Sequence, residues 1–227
     1  MGAMAWKIHR EACLRAASAV ELAAADAALD AAVTGGCLTA AADSALLAAG
    51  AHEPTPTPYF ILDELLGGLG LGEGDRLLDV GCGSGRVLAY AAAAGLPCRV
   101  TGVELDARLA SFATDWARRY EHLEVVCGSA LDLPLGAYTH FYLFNPFDND
   151  ILLRFLDRLE GQAERSVVLV HMSDNGEGYS YLGRAGWALE REGEFYEHRD
   201  AGGSSFPVFG CPQHYSIWRF EPSFRVV

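Results

Sequence analysis

Leu78-Asp79-Val80-Gly81-Cys82-Gly83-Ser84-Gly85-Arg86 is the stretch whose reading decides the fold. Arg76 to Val80 is a short apolar run of strand length, and Arg86 to Ala94 is an alanine-rich helical run that Gly95 stops. Between them, the glycines at 81, 83 and 85 permit a tight bend and let backbone N–H groups come close to a ligand. A strand that turns through glycines into a helix is the first unit of a parallel α/β sheet. Glu104 lies about 20 residues on, at the end of the next strand, where a carboxylate can accept hydrogen bonds from ribose hydroxyls. A dinucleotide fingerprint would place its third glycine at position 86, which is Arg86, so a pyrophosphate-binding bend fits less well.

Strand and helix go on alternating downstream. Cys98 to Val103, Leu123 to Cys127, Thr139 to Phe144 and Ser166 to His171 read as strands, and Ala107 to Tyr120 and Asp150 to Leu159 as helices. Ala188 to Tyr196 and His214 to Phe220 are β-like runs separated by the Gly, Ser and Pro-rich stretch Gly202 to Pro212, and they predict an antiparallel hairpin at the sheet edge. Upstream, Ala5 to Ala49 is rich in Ala and Leu at helical spacing. Thr34-Gly35-Gly36 breaks it, and Thr39 is placed to cap a second helix. Pro54, Pro56 and Pro58 then predict an extended loop before a helix from Tyr59 to Leu69. Met1-Gly2-Ala3-Met4 has the look of a cloning remnant and is set aside.

At 227 residues the chain suffices for one buried α/β core with an appendage. Its 30 acidic and 17 basic residues, formal net charge -13, repel phosphate backbones and argue against a nucleic-acid substrate. The alanine-rich tracts are interrupted by charges well short of the roughly 20 apolar residues that span a bilayer. The six cysteines show no Cys-x-x-Cys spacing. Reduced thiols in a cytoplasmic protein, with no metal, are therefore expected; on oligomeric state the sequence is silent.

Taken together, the glycine bend and Val103-Glu104-Leu105-Asp106 resemble the class I S-adenosylmethionine-dependent methyltransferases, as glycine motif and ribose-binding acidic motif. Gly128-Ser129-Ala130-Leu131-Asp132-Leu133-Pro134 is similar to the family's loop beside the adenine, with Ser129 where Asp is common. The resemblance implies a Rossmann-like α/β fold: a seven-stranded, mostly parallel sheet with an antiparallel C-terminal hairpin. The resemblance does not cover the upstream helical segment, which reads as a helical N-terminal cap at residues 5–53 before the methyltransferase domain at 54–222. S-adenosylmethionine is the implied cofactor, held by Asp79, Gly81, Cys82, Gly83, Gly85, Glu104, Leu105, Ser129, Ala130 and Leu131. In that picture Asp79 organises the bend through hydrogen bonds to its backbone.

Phe144-Asn145-Pro146-Phe147 resembles, with one proline missing, the Asn-Pro-Pro-Tyr/Phe motif of amino-methylating members. The resemblance implies that Asn145 and the Pro146 carbonyl orient a target nitrogen, with Asn145 also near the cofactor. Tyr59 is expected to close over cofactor or acceptor, and Phe147, His171, Tyr179 and Trp187 are candidates for the acceptor side. The acceptor is a small molecule or peptide, chosen by the cap, and an amine or amide nitrogen is favoured. Base methylation of nucleic acid and a silent partner-binding subunit are the rival readings.

Overall fold

The computed structural model describes residues 2–38, 55–173, 181 and 183–222. Strands β1 (Arg76–Val80), β2 (Arg99–Glu104), β3 (Leu123–Cys127), β4 (His140–Phe144) and β5 (Val167–Ser173) are parallel. With β6 (Trp187–Phe195) and β9 (Gln213–Phe220) they form one seven-stranded sheet in the order β3-β2-β1-β4-β5-β9-β6. The last two strands run antiparallel, β9 against β5 and β6 against β9. The hairpin is thus as predicted. Strand order reverses between β1 and β4, and in open α/β sheets ligands bind at the carboxyl ends of the strands at such a switch point.

Both faces of the sheet are covered, which is why its strands read as continuous apolar runs rather than alternating ones. Helices α3 (Tyr59–Leu66), α4 (Arg86–Ala94) and α5 (Ala107–Ala117) cover one face, with Leu62, Leu88, Ala89 and Trp116 sharing a core with Leu77, Val100, Tyr142 and Val170. On the other, α6 (Asn149–Gln162) buries Leu152, Phe155, Leu156 and Leu159, at i, i+3, i+4 and i+7 along one stripe, against Leu78, Phe141, Leu143 and Leu169.

The N-terminal segment forms α1 (Gly2–Arg15) and α2 (Ala19–Thr34). The expected break at Thr34-Gly35-Gly36 is present, and a further one falls at Ala16–Ser18. There the Ser18 hydroxyl accepts from Glu21 N at 3.2 Å and the Glu21 carboxylate accepts from Ala17 N at 2.8 Å, a reciprocal cap strong enough to start a new helix. Gly35, in left-handed conformation with φ 82°, closes α2. Residues 2–4, set aside on sequence grounds, are the first turn of α1. A Cβ on Gly2 would lie 2.7 Å from the Ala92 carbonyl of α4. The helix expected from Thr39 lies outside the described residues.

The Gly, Ser and Pro-rich stretch read as a loop contains β8 (Ser205–Pro207), which pairs with β7 (Glu197–Arg199) in a separate ribbon. Three-residue strands leave no periodicity to detect; their partners are in the cap. Ala201 N donates to Leu14 O at 2.9 Å, His198 Nε2 donates to Cys13 O at 2.8 Å, and Phe206 and Val208 pack on Cys13, Ala16 and Leu22.

Candidate active site at the sheet switch point

Gly81, Gly83 and Gly85 have φ of 75°, 54° and 94°, a region that side chains disfavour. Close approach adds a second reason at two of them. A Cβ on Gly81 would lie 2.8 Å from Pro146 Cβ, and one on Gly85 would lie 2.7 Å from Trp116 Cζ2. The bend is therefore held between the turn after β4 on one side and α5 on the other. Trp116 Nε1 also donates to Ser84 O at 3.0 Å.

The N–H groups expected to face a ligand are engaged within the protein. Gly81 N and Cys82 N both donate to Val103 O at 2.9 and 3.0 Å, and Gly85 N donates to Cys82 O at 2.8 Å. Gly83 N donates to Glu104 Oε2 at 2.8 Å, while Glu104 Oε1 accepts from Asp106 N at 2.8 Å. A carboxylate thus sits in the bend, where a dinucleotide loop would receive a pyrophosphate. The donor set repels an anion and suits a ligand that is cationic near the bend and carries hydroxyls near Glu104, whose oxygens each keep acceptor capacity. A sulfonium nucleoside such as S-adenosylmethionine has those two properties.

Asp79, at the base of the bend, is buried, and burial together with the Glu104 carboxylate holds its carboxyl well above the usual range. The hydrogen bond to the bend's backbone, expected from Asp79, comes from Glu104 instead. The reason is reach: Glu104 ends the neighbouring strand and enters the bend from its open side. Cys82 is buried against Gly102 of β2. Leu105 is 41% exposed at the end of β2 and presents an apolar surface beside Glu104. Ser129 caps the short 3-10 turn at Ala130–Asp132, its hydroxyl accepting from Leu131 N at 3.2 Å; Ala130 is buried and Leu131 half-buried.

Asn145 follows β4 with φ 44°, the only residue other than glycine with positive φ among those described. Asparagine tolerates this region better than most side chains, and strained backbone concentrates at functional turns. Asn145 N donates to Met172 O at 3.0 Å, fixing the turn to the end of β5 and bringing Pro146 onto Gly81. The two motifs, distant in sequence, therefore meet at the switch point through Gly81 and Pro146. Phe144 packs edge-on against Phe209, from the segment after β8, with ring centroids 6.2 Å apart. Sequence reading missed Phe209, which lies in the stretch taken for a loop.

Several expected site residues stand elsewhere. Tyr59 is fully buried, its hydroxyl donating to Asp30 Oδ1 at 2.7 Å, so it is a strut between α3 and the cap rather than a lid. Phe147 is buried beneath α6 against Phe155, so within its motif it is Pro146 that meets the bend. Trp187 pairs with Phe220, which pairs with Val167 at the amino end of β5, about 20 Å of strand from the carboxyl edge. There its Nε1 donates to Glu160 at 2.6 Å. His171 lies near the carboxyl end of β5 but is buried, with Nδ1 3.1 Å from the Tyr181 hydroxyl. Tyr179 lies outside the described residues. His9, Cys13 and Asp26 form a converging group of metal-ligand types, but they lie in the cap, where the Asp26 carboxylate already serves His9 and Arg86.

Residues 78–141, which run from β1 through the glycine bend and Glu104 to the start of β4, match the family described as Methyltransferase domain. The segment is similar to a methyltransferase domain, and the fold around it is the Rossmann-like one of the methyltransferases. Solved structures similar to this chain include an RNA methyltransferase from Salinibacter ruber in complex with S-adenosyl-L-homocysteine, 20% identical over 76% of this chain and 98% of that one, with a TM-score of 0.55. A precorrin-6y C5,15-methyltransferase from Geobacter metallireducens is 15% identical, covering 77% and 94%, with a TM-score of 0.53. A geranyl diphosphate C-methyltransferase from Streptomyces coelicolor, in complex with Mg2+, geranyl diphosphate and S-adenosyl-L-homocysteine, is 18% identical over 72% and 77%, at 0.52. No curated protein matches the chain. Among the described residues, no helix is long and apolar enough to cross a membrane.

Proposed function

We propose that the protein transfers the methyl group of S-adenosylmethionine to an amine or amide nitrogen of a small molecule or peptide. The contact of Pro146 with Gly81 carries this reading, because it sets the Asn145 turn directly beside the cofactor bend. Residues 54–222 are the catalytic unit and residues 5–53 its cap, and the cap selects the acceptor. When bound, the cofactor supplies a sulfonium-activated methyl group. Glu104 accepts from the ribose hydroxyls, Leu105 and the Ser129–Leu131 turn receive the adenine, and Gly81, Cys82, Gly83 and Gly85, with Asp79 beneath them, enclose the methionine end. Asn145 and the Pro146 carbonyl accept from the target N–H and direct its lone pair along the transfer axis, and Phe144 and Phe209 wall the acceptor side. This is catalysis by positioning.

Charge supports a neutral or cationic acceptor. Asp106, Asp132, Asp148 and Asp150 all follow strands at the carboxyl edge, and Arg108, the basic residue beside them, is paired with Asp106 at 3.2 Å. Such a rim repels a polyanion, which disfavours RNA as acceptor although an RNA methyltransferase shares the fold. All six cysteines are free thiols, in keeping with a reducing compartment such as the cytoplasm.

Screening amines and peptides with isotopically labelled S-adenosylmethionine, and locating the new methyl group by mass spectrometry, tests the reading. Asn145→Gly is the informative variant, since glycine keeps the positive φ while deleting the side chain. It should lower turnover about 10-fold to 100-fold, the loss of one or two oriented hydrogen bonds, with little change in S-adenosylhomocysteine affinity. Undiminished turnover refutes the role given to Asn145. Failure of the intact protein to bind the cofactor would leave a partner-binding module.

A further inference from the structure

Helix α2 is almost entirely alanine, leucine and valine, yet two acids, Asp26 and Asp30, are buried one turn apart on the face that meets α4. Their partner is Arg86, the first residue of α4 and the immediate neighbour of Gly85. Arg86 Nη1 donates to Asp26 Oδ2 at 3.2 Å and Nη2 donates to Asp30 Oδ2 at 2.9 Å, while the guanidinium lies 4.6 Å from the centre of the Tyr59 ring. The remaining acceptor capacity of the two acids is also used. His9 Nε2 donates to Asp26 Oδ1 at 2.8 Å, the Tyr59 hydroxyl to Asp30 Oδ1 at 2.7 Å, and Leu38 N to Asp30 Oδ2 at 3.1 Å.

Burying three charges is a poor way to gain stability, because desolvation offsets most of the attraction and apolar residues of similar volume do as well or better. Burial does push the Asp30 carboxyl up, against the pull of Arg86. What the arrangement supplies is direction: a planar fork held by two carboxylates fixes the rotation of the residue that carries it. That residue ends a bend of three glycines with little conformational preference of its own. Glu104 holds the bend at Gly83, Trp116 at Ser84 and Pro146 stands against Gly81; Arg86 holds it from the cap side.

We propose that Arg86 is a positioning residue for cofactor binding, and that Asp26 and Asp30 of the cap orient it so that the glycine bend is preset for the ligand. The inference rests on the cofactor reading above. The cap then supports the cofactor half of the site directly.

Four proteins test this by calorimetric titration with S-adenosylhomocysteine and by thermal melting without it: the unmodified chain, the neutral triple variant Asp26→Asn/Asp30→Asn/Arg86→Gln, Arg86→Lys, and Leu22→Ala. The triple variant removes every charge together, so no ion is stranded in the core, and should bind about tenfold or more weakly, the scale of one coupled network. Arg86→Lys keeps the charge but loses the fork, and should fall between. Leu22→Ala loosens the cap's contact with Phe206 and Val208; it should melt earlier yet bind within about twofold of the unmodified chain, since it does not touch the fork. A folded triple variant with unchanged affinity overturns the proposal, as does a Leu22→Ala loss equal to that of the triple variant. If the triple variant does not fold, hydrogen exchange on the unmodified chain decides. The ligand should slow exchange around Asp26 to Asp30 together with Gly83 to Val87, and an unresponsive α2 overturns the proposal. An unmodified chain that does not bind the ligand at all sinks the cofactor reading itself, and this inference with it.

Discussion

Glu104→Gln changes one atom and should act on stability and ligand affinity together. Both carboxylate oxygens face backbone donors, Gly83 N on one side and Asp106 N on the other, each at 2.8 Å. A glutamine can present its carbonyl to only one of them, and its amide N–H2 must then meet the other donor head-on. One charge-assisted hydrogen bond is lost, about 1.5–3 kcal/mol, and a buried N–H is left without an acceptor, about 1–3 kcal/mol, with some relaxation between the two. A net loss of about 2–4 kcal/mol follows, which for a chain of this size lowers the melting temperature by about 4–16 °C. The ribose side loses a charged acceptor as well, so S-adenosylhomocysteine affinity should drop roughly 10-fold to 100-fold. Differential scanning calorimetry and isothermal titration give the two numbers. A variant that melts within about 1 °C of the unmodified protein and binds as tightly would show that Glu104 does not bridge the bend, and the account of the site would fail with it.

Gly81→Ala puts a Cβ 2.8 Å from Pro146 at φ 75° and should destabilise by about 2–3 kcal/mol, seen in urea unfolding; a loss below about 0.5 kcal/mol would mean that the bend and the Asn145 turn are not in contact. Asp79 has a folded-state pKa above its unfolded value of about 3.9, so it withdraws stability as pH rises from there toward the folded value. Asp79→Asn should therefore gain stability over the unmodified protein as pH rises above about 4, and a difference independent of pH refutes the shift. Phe155→Ala empties the centre of the α6 stripe, where Phe155 meets Phe141 and Phe147, and should cost about 3–5 kcal/mol by the same unfolding measurement; a cost under about 1 kcal/mol would contradict its burial.

What the chain declares in one dimension is local. The glycine bend, Glu104 about one βα unit later, and the apolar runs of β1 to β5 each combine a residue type with a spacing that has a single physical use, so the parallel half of the fold and the candidate site at its edge are legible. Three-dimensional neighbours are not. Trp187 reads as an aromatic near the end of the chain, and only the pairing of β6 with β9 places it at the far edge of the sheet. Tyr59 reads as a lid residue after prolines, and only the cap's two acids draw it inside. The ribbon of β7 and β8 has three-residue strands whose stability comes from the cap, so no pattern within it could have shown it. One signal was available: two acids a turn apart on the Leu22, Leu29, Val33 stripe of an otherwise apolar helix predict a buried cationic partner.

The site's order comes from long-range contacts that converge on a short flexible segment. Three glycines in five residues raise the entropy lost on ordering the bend, a cost that ligand binding would have to meet if the free protein left it loose. Glu104 from β2, Trp116 from α5, Pro146 from the turn after β4 and Arg86 through the cap meet it on folding instead. Each contact comes from a different part of the chain, so loosening any one should leave the fold standing while making the bend's ordering part of the binding equilibrium. Weaker cofactor affinity, beyond the stability lost by trimming a buried ring, is therefore the signature to expect at Trp116→Phe, where the indole N–H and one of its two fused rings are removed. A Trp116→Phe protein that binds S-adenosylhomocysteine as the unmodified chain does would show that the glycines hold their bend unaided.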